Sequence, residues 1–131
     1  MKKKVLTSVC AFGILIGVGS ASAGTAGITY AKTLPVISAD TSLSVGDKDN
    51  NSQTKIVNSL VGGSYKANMW ITTGQHGNKV SATATNVTDN DTRYLTVDQS
   101  AVGIRVGLAA ENATWTSVTV DIAGKWHPDT K

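Results

Sequence analysis

Residues 104–126 read IRVGLAAENATWTSVTVDIAGKW, and the alternation in this stretch decides the fold class. Apolar side chains recur at every second position from residue 102, at Val102, Ile104, Val106, Leu108 and Ala110. The pattern returns at Val118, Val120 and Ile122. Because successive side chains of a strand point to opposite faces of a sheet, this spacing predicts two strands that each bury one face. The turn-forming Glu111-Asn112-Ala113 predicts that the two strands pair as a hairpin.

Similar alternation marks residues 65–73, 80–87 and 93–97, which the turn formers GQHGN (74–78) and TDND (88–91) separate. Short strands at such regular intervals are typical of a small antiparallel sandwich or barrel. Parallel pairing would need a long crossover, usually a helix, between neighbouring strands. Only KIVNSLV (55–61) shows even weak helical spacing. We therefore expect an all-β fold, a small antiparallel β-sandwich of about six strands.

The N-terminus has the layout of a secretory signal peptide. Lys2, Lys3 and Lys4 precede an apolar stretch over residues 5–18, and the small residues Ala21-Ser22-Ala23 follow it. The apolar stretch is shorter than the roughly 20 residues that a membrane-spanning helix needs, which favours cleavage after Ala23 over anchoring. We expect a secreted mature chain without a transmembrane segment. Because Cys10 is the only cysteine, the mature chain is also expected to be cysteine-free.

Removal of the signal peptide leaves a domain with no net charge. Three of the twelve Lys and Arg lie in the signal, and the remaining nine balance nine Asp and Glu. A nucleic-acid partner requires clustered basic residues that displace counterions from phosphates. The mature chain has no such cluster, so we expect no nucleic-acid partner.

Composition divides the mature chain into two parts. Residues 24–53 are rich in Ser, Thr, Gly and Asp, and only TLPVIS (33–38) is extended in character. Pro35 confines that segment to an edge or a loop, because proline cannot donate to a neighbouring strand. We expect residues 24–53 to form a polar, partly irregular N-terminal segment and residues 54–131 to form the β-sandwich domain.

Patterns that carry catalysis are weak in this sequence. His76 and His127 lie in turn-like or terminal segments, and Glu111 is the only glutamate. Ser64, in GGSYK, lacks the second glycine that a nucleophile elbow requires. We therefore expect a protein that is not an enzyme and that needs no cofactor.

Two acidic loops are weak candidates for calcium. The stretch from Asp47 to Asn51 matches the opening of a calcium-binding loop, but Asn58 stands where such a loop needs a bidentate glutamate. Asp89, Asn90 and Asp91 form a second acidic turn. Solvated polar loops are the favoured interpretation of both, so no metal residue is predicted.

The tryptophans are the best candidates for contact with a ligand. Trp70 lies inside a predicted strand, and we expect it in the core. Trp115 and Trp126 lie near the predicted turn and the polar C-terminus, where an indole can stack on a sugar ring or lie at a membrane interface. We take Trp115 and Trp126 as candidate ligand-binding residues. For Trp126, packing that fixes the last strand is the favoured interpretation over a ligand role.

Three segments carry a resemblance to a known family: HGNKVSATATN (76–86), AVGIRVGLAAEN (101–112) and the closing GKW (124–126). In layout they resemble lactococcin 972-type bacteriocins, small secreted cysteine-poor proteins. LAAEN and the ending GKWHPDT also resemble a set of small secreted proteins of Gram-positive bacteria. The bacteriocin resemblance implies a β-sandwich and a non-enzymatic antibacterial that acts on a cell-envelope component. A secreted cell-surface or cell-wall-binding module is the alternative function.

Overall fold

A computed structural model describes residues 23–131. The expected signal peptide, residues 1–23, therefore lies outside the described residues except for Ala23. Eight strands and three short 3₁₀ helices form the regular structure of the described chain. The strands are β1 (Ile28–Leu34), β2 (Thr41–Asp47), β3 (Thr54–Val61), β4 (Ala67–Thr73), β5 (Ala84–Val87), β6 (Asp91–Leu95), β7 (Arg105–Asn112) and β8 (Val120–His127).

Two four-stranded antiparallel sheets pack face to face. The first has the strand order β1-β8-β3-β6 and the second has the order β2-β7-β4-β5. The all-β antiparallel sandwich predicted from the sequence is thus confirmed, with eight strands instead of about six. Strands β1 and β2 both come from residues 24–53, and each forms one edge of a sheet. A domain that began at residue 54 would lack an edge strand in both sheets, so residues 24–53 are part of the sandwich.

Side chains from the inner faces of both sheets form one core. Met69 and Ile71 of β4, with Val106 and Leu108 of β7, are completely buried on the second sheet. The first sheet contributes residues that are at most 4% exposed: Tyr30, Leu34, Ile56, Val61, Val120, Ile122 and Trp126. The period-2 pattern from Val106 to Ala110 marks the inner face of β7 as predicted, whereas Ile104 lies before the strand and is exposed.

A buried polar pair crosses the first sheet. The Tyr30 hydroxyl donates to Asn58 Oδ1 at 2.8 Å, and Asn58 Nδ2 donates to the carbonyl of Thr88 at 2.8 Å. Burial raises the pKa of the Tyr30 phenol well above its ordinary value. A Cβ on Gly124 would lie 2.6 Å from the Tyr30 hydroxyl oxygen, so glycine at position 124 leaves room for this hydroxyl.

The predicted hairpin around residues 111–113 is wrong. Strand β7 pairs with β2 and β4, whereas β8 pairs with β1 and β3 in the other sheet. The connection 113–119 therefore crosses from one sheet to the other. Alternation shows which face of a strand is buried, but both sheets offer the same kind of inner face, so alternation does not select the partner strand.

Strand β3 explains why KIVNSLV has weak helical spacing. Its pairing with β8 shifts register between Asn58 and Leu60. The extra residue of this bulge reverses the face on which later side chains lie, so Ile56 and Val61 both reach the core while Leu60 is exposed. An odd spacing between buried apolar residues therefore occurs within a strand.

The predicted strand at residues 80–87 is shorter in the structure. Only Ala84–Val87 forms β5, whereas Lys79 and Ser81 each make an isolated bridge, to Thr72 and Val97 respectively. Val80 is nevertheless buried. No helix within residues 23–131 is long and apolar enough to cross a membrane.

Candidate functional site

The two tryptophans predicted to bind a ligand lie in opposite environments. Trp115, in the loop between β7 and β8, is 71% exposed, the largest exposure among the large apolar side chains of the described chain. Trp126 is completely buried, and its Nε1 donates to Ser44 Oγ of the other sheet at 2.7 Å. The interpretation of Trp126 as a surface ligand contact is therefore corrected: its ring fills the core and fixes β8 against β2.

Trp115 belongs to an exposed apolar surface at one end of the sandwich. Ile37, in the loop between β1 and β2, is 53% exposed, and Val118 is 44% exposed. The backbone N–H of Ile37 donates to the carbonyl of Thr116 at 3.0 Å, which joins the two loops. We call Ile37, Trp115 and Val118 the apolar tip.

Most residues in the two loops that carry the apolar tip are uncharged. Residues 35–39 and 113–119 include no Asp, Glu, Lys or Arg. Soluble proteins usually intersperse charges of both signs over their surfaces. Exposed apolar side chains on uncharged loop segments are a common feature of surfaces that contact a partner or a lipid interface.

Ile37 holds a conformation that its side chain disfavours. Its φ is 61°, and the next residue, Ser38, has a φ of 51°. A β-branched residue in this left-handed region is rare because its side chain clashes with the local backbone. The hydrogen bond to Thr116 and the loop closure around it keep Ile37 there, with its side chain exposed beside the second loop. Strain of this kind is found preferentially where function requires it.

The buried side-chain amide of Asn112 supports the base of the apolar tip. Asn112, at the end of β7, is 2% exposed, and its Nδ2 donates to the carbonyl of Pro35 at 2.9 Å. Its Oδ1 is buried without a hydrogen-bond partner. The N–H of Ala113 donates to the carbonyl of Lys66 at 2.9 Å, so the loop between β3 and β4 is also tied to the base of the tip.

The acidic loops considered for calcium use their carboxylates within the protein. Asp47 pairs with Arg105 at 3.4 Å, and Asp89 Oδ1 accepts from the N–H of Val61 at 2.6 Å. Asp91 pairs with Arg93 at 2.9 Å, and this hydrogen bond is the main reason that the pKa of Asp91 lies below its ordinary value. Within residues 23–131, no three His, Cys, Asp or Glu side chains are grouped as metal ligands would be.

The histidines and the single glutamate occupy separate surroundings. His76 is exposed in the loop between β4 and β5, and His127 Nδ1 lies 2.9 Å from the carbonyl oxygen of Thr25. Glu111 Oε1 accepts from Asn68 Nδ2 at 3.1 Å. Each of these groups is placed by its own strand or loop, and the structure gives them no shared hydrogen-bond network.

At the opposite end of the sandwich, a buried ion pair joins two segments that are distant in sequence. Lys48 Nζ lies 2.8 Å from Asp129 Oδ1, and the two side chains are 0% and 1% exposed. Lys48 Nζ also donates to the carbonyls of Ser52 (2.6 Å) and Pro128 (2.9 Å). The N–H of Asp49 donates to Asp129 Oδ2 at 2.7 Å. We call Lys48, Asp49 and Asp129 the tail clamp; nothing in the polar DKDN stretch predicts it.

Gly24 completes the tail clamp. Its N–H donates to Asp49 Oδ2 at 3.1 Å, and its carbonyl accepts from the N–H of Asp129 at 2.7 Å. A Cβ at position 24 would lie 1.9 Å from Asp129 Oδ2. Only glycine therefore allows the backbone at position 24 to pack this closely against the carboxylate.

Comparison of the chain with protein-family models, curated proteins and solved structures finds no significant match. The resemblance to lactococcin 972-type bacteriocins thus remains a prediction from the sequence. The surface chemistry of the described residues is therefore the main guide to function.

Proposed function

We propose that this protein is a secreted, non-enzymatic antibacterial that acts on the cell envelope of related bacteria. The apolar tip is the surface that meets the envelope. The observation that carries the proposal is the 71% exposure of Trp115 beside exposed Ile37 and Val118 on uncharged loop segments. The signal-like N-terminus and the bacteriocin resemblance of residues 65–130 support the same conclusion.

The chemistry of the tip fits the boundary of a lipid bilayer. An indole combines a large apolar ring with one N–H donor, and tryptophan is enriched where hydrocarbon meets headgroups. Asp40, Lys66 and Asp89 are the charged residues of the loops at this end, and their formal charges sum to −1. Attraction to an anionic surface therefore contributes little, and binding depends on burial of apolar area. Such binding is expected to change little between low and physiological salt, because salt screens only the charges.

Two measurements on purified residues 24–131 test the proposal. Growth inhibition is measured on a panel of related bacteria, and partition is measured by sedimentation with phosphatidylcholine vesicles. Trp115→Ser is expected to lower vesicle partition at least about tenfold, because it removes the largest apolar side chain of the tip. The same change is expected to abolish most of the growth inhibition.

Tyr94→Ser provides the matched control. Tyr94 is 53% exposed on β6, outside the apolar tip, so its replacement removes an exposed aromatic of comparable accessibility. This variant is expected to keep both activities. Absence of growth inhibition over the whole panel contradicts the proposal, as does equal partition of the Trp115→Ser variant and the unchanged protein.

A cell-wall-binding module is the second candidate function, because the exposed ring of Trp115 suits the face of a sugar as well as a lipid interface. Sedimentation with purified peptidoglycan distinguishes the two. Retention on peptidoglycan that depends on Trp115, without partition into vesicles, favours the wall-binding module. Trp126→Ala, which the earlier sequence interpretation would include, is unsuitable as a ligand test because Trp126 is a core residue.

A further inference from the structure

A second surface, on the outer face of the second sheet, combines an aromatic ring with charged groups. On the outer face of the second sheet, Ser42, Ala109 and Trp70 form a row across the adjacent strands β2, β7 and β4. Trp70 and Ala109 face outward because their strand neighbours face the core. Trp70 is 8% exposed, which confirms its predicted burial, although it lies on the outer face of the sheet and outside the main core cluster.

The loop between β4 and β5 forms a fixed wall over this row. The N–H of Gly74 donates to the carbonyl of Arg105 at 2.8 Å, and the N–H of Thr73 donates to the carbonyl of Asn78 at 2.9 Å. A Cβ on Gly107 would lie 2.3 Å from the Gly74 carbonyl oxygen, so the absence of a side chain there allows the loop to approach β7. The row and the wall enclose a depression of about 380 Å³ and an adjoining one of about 170 Å³. We call this pair of depressions the Trp70 groove.

The small side chain of Ala109 gives the groove its depth. It lies between Ser42 and Trp70 in the row and borders the smaller depression. Asp40, Trp70 and Gly77 border both depressions. The two spaces therefore share one aromatic wall and one carboxylate.

A cation already occupies the face of the aromatic ring. Lys79 Nζ lies 5.6 Å from the centroid of the Trp70 ring, within the range of cation–π attraction. Its ammonium also donates to Thr83 Oγ1. Lys79 is exposed and has a flexible stem, so its head can leave the ring at little cost.

Two carboxylates face the same groove without a cationic partner. Asp40 and Glu111 line the larger depression with Trp70 and Lys79. The ion pairs within residues 23–131 involve neither of them. Glu111 is the partner of Asn68 in the β4–β7 register, which puts it diagonally next to Trp70 on the outer face, where side chains of this length can meet.

We propose that the Trp70 groove binds an organic ammonium group, with Lys79 holding the position of the ligand in the free protein. The indole face attracts the cation, and the carboxylates of Asp40 and Glu111 complete a negative rim. The charges of the groove favour a cation, since two carboxylates oppose one ammonium. This site is independent of the apolar tip and does not require the protein to be antibacterial.

Choline and its neutral isostere 3,3-dimethyl-1-butanol test the charge requirement on the unmodified protein. The indole N–H resonance of Trp70 is followed by NMR in residues 24–131 labelled with ¹⁵N. Choline is expected to shift this resonance in a saturable manner, and the neutral isostere is expected to bind at least about fivefold more weakly. Equal affinity for the two compounds, or no shift with either, overturns the proposal.

Variants of the groove test the roles of individual side chains. Lys79→Ala removes the internal competitor and is expected to lower the Kd for choline about threefold. The double change Asp40→Asn and Glu111→Gln is expected to raise that Kd about fivefold. Asp98→Asn, an exposed carboxylate outside the groove, is the matched control and is expected to leave the Kd unchanged. Unaltered or weakened binding in Lys79→Ala overturns the role of Lys79 as a stand-in for the ligand.

Discussion

At one end of the sandwich the tail clamp buries two opposite charges completely, whereas at the other end the apolar tip exposes an indole to solvent. Strand β2 connects the two: it begins at Thr41 near the tip and ends at Asp47 beside the clamp. In the clamp, the Lys48 ammonium has three hydrogen-bond partners and the Asp129 carboxylate has two. In the tip, the three apolar side chains are exposed in loops, and Ile37 is strained.

The difference separates residues that hold the fold from residues that are available to a partner. A buried charge is tolerated only when its partners are in place, so the clamp depends on its geometry. An exposed apolar side chain contributes little to folding, because it stays in contact with water in both states. Changes at the clamp should therefore alter stability, and changes at the tip should alter binding.

The largest expected effect comes from removing the acidic partner of the clamp. Asp129→Ala leaves the buried ammonium of Lys48 without its carboxylate and is expected to lower the free energy of unfolding by about 3–5 kcal/mol. Urea unfolding of residues 24–131, followed by circular dichroism, measures the loss. Asp98→Ala, an exposed carboxylate, is the control and should change stability by less than about 0.5 kcal/mol. An equally small loss of unfolding free energy in Asp129→Ala would show that water replaces the carboxylate as a partner of the Lys48 ammonium.

The next effect concerns the N-terminus that the expected cleavage would create. The backbone nitrogen of Gly24, which would become the α-amino group of a chain cleaved after Ala23, lies 3.1 Å from Asp49 Oδ2. A neighbouring carboxylate favours the charged form of an amine. We expect acetylation of this terminus to lower the free energy of unfolding by about 1 kcal/mol near pH 6.

Urea unfolding of the free and acetylated chains near pH 6 measures the difference between them. Equal stability of the two chains would show that the terminal ammonium gains nothing from the carboxylate of Asp49.

At the apolar tip, a single substitution should raise the stability of the protein and weaken its binding to vesicles. Ile37→Gly relieves the cost of a β-branched residue at a φ of 61° and is expected to raise the free energy of unfolding by about 0.5–1 kcal/mol. The same change removes an apolar side chain from the tip and should weaken partition into phosphatidylcholine vesicles. Urea unfolding and vesicle sedimentation on the same variant measure both. A variant that is less stable, or one that keeps full partition, would contradict the assignment of Ile37 to a binding surface.

The sequence predicted the buried faces of strands better than their partners. Val106, Leu108 and Ala110 lie in the core as their spacing indicates. Spacing contains no information on whether β7 joins β8 or another strand, because the inner faces of the two sheets are equivalent in polarity. The hairpin error follows from this equivalence.

Trp115 and Trp126 show how far the local sequence pattern predicts whether a side chain is buried or exposed. Trp126 continues the every-second-residue spacing of Val120 and Ile122, which is a signal for burial that the polar C-terminus obscured. Trp115 lies outside any alternating segment, and its exposure agrees with its assignment as a candidate contact residue. Lys48 and Asp129 lie 81 residues apart, so their pairing depends on the tertiary fold and has no local signal.

The smallest expected effect contrasts a surface ion pair with the buried one in the clamp. Arg93 and Asp91 pair at 2.9 Å with side chains that are 33% and 20% exposed. Arg93 lowers the pKa of Asp91 in the folded state, so the stabilisation is complete above the unfolded pKa of about 4 and is lost as the pH falls through the lower, folded pKa. Asp91→Asn is expected to reduce the free energy of unfolding at pH 7 by about 0.3–0.5 kcal/mol, because solvent screens an accessible pair.

Unfolding of the Asp91→Asn variant across the acid range measures this effect against the unchanged protein. The two stabilities should approach each other as the pH falls below the lowered, folded pKa of Asp91, where its carboxyl is protonated in both states. Added salt should also reduce their difference at pH 7, whereas the loss caused by Asp129→Ala should persist, because buried pairs are screened much less. Salt could instead reduce the losses of stability in Asp91→Asn and Asp129→Ala equally. The carboxylate of Asp129 would then have to be accessible to ions, which would contradict the contrast between the buried ion pair of the clamp and the exposed pair on the surface.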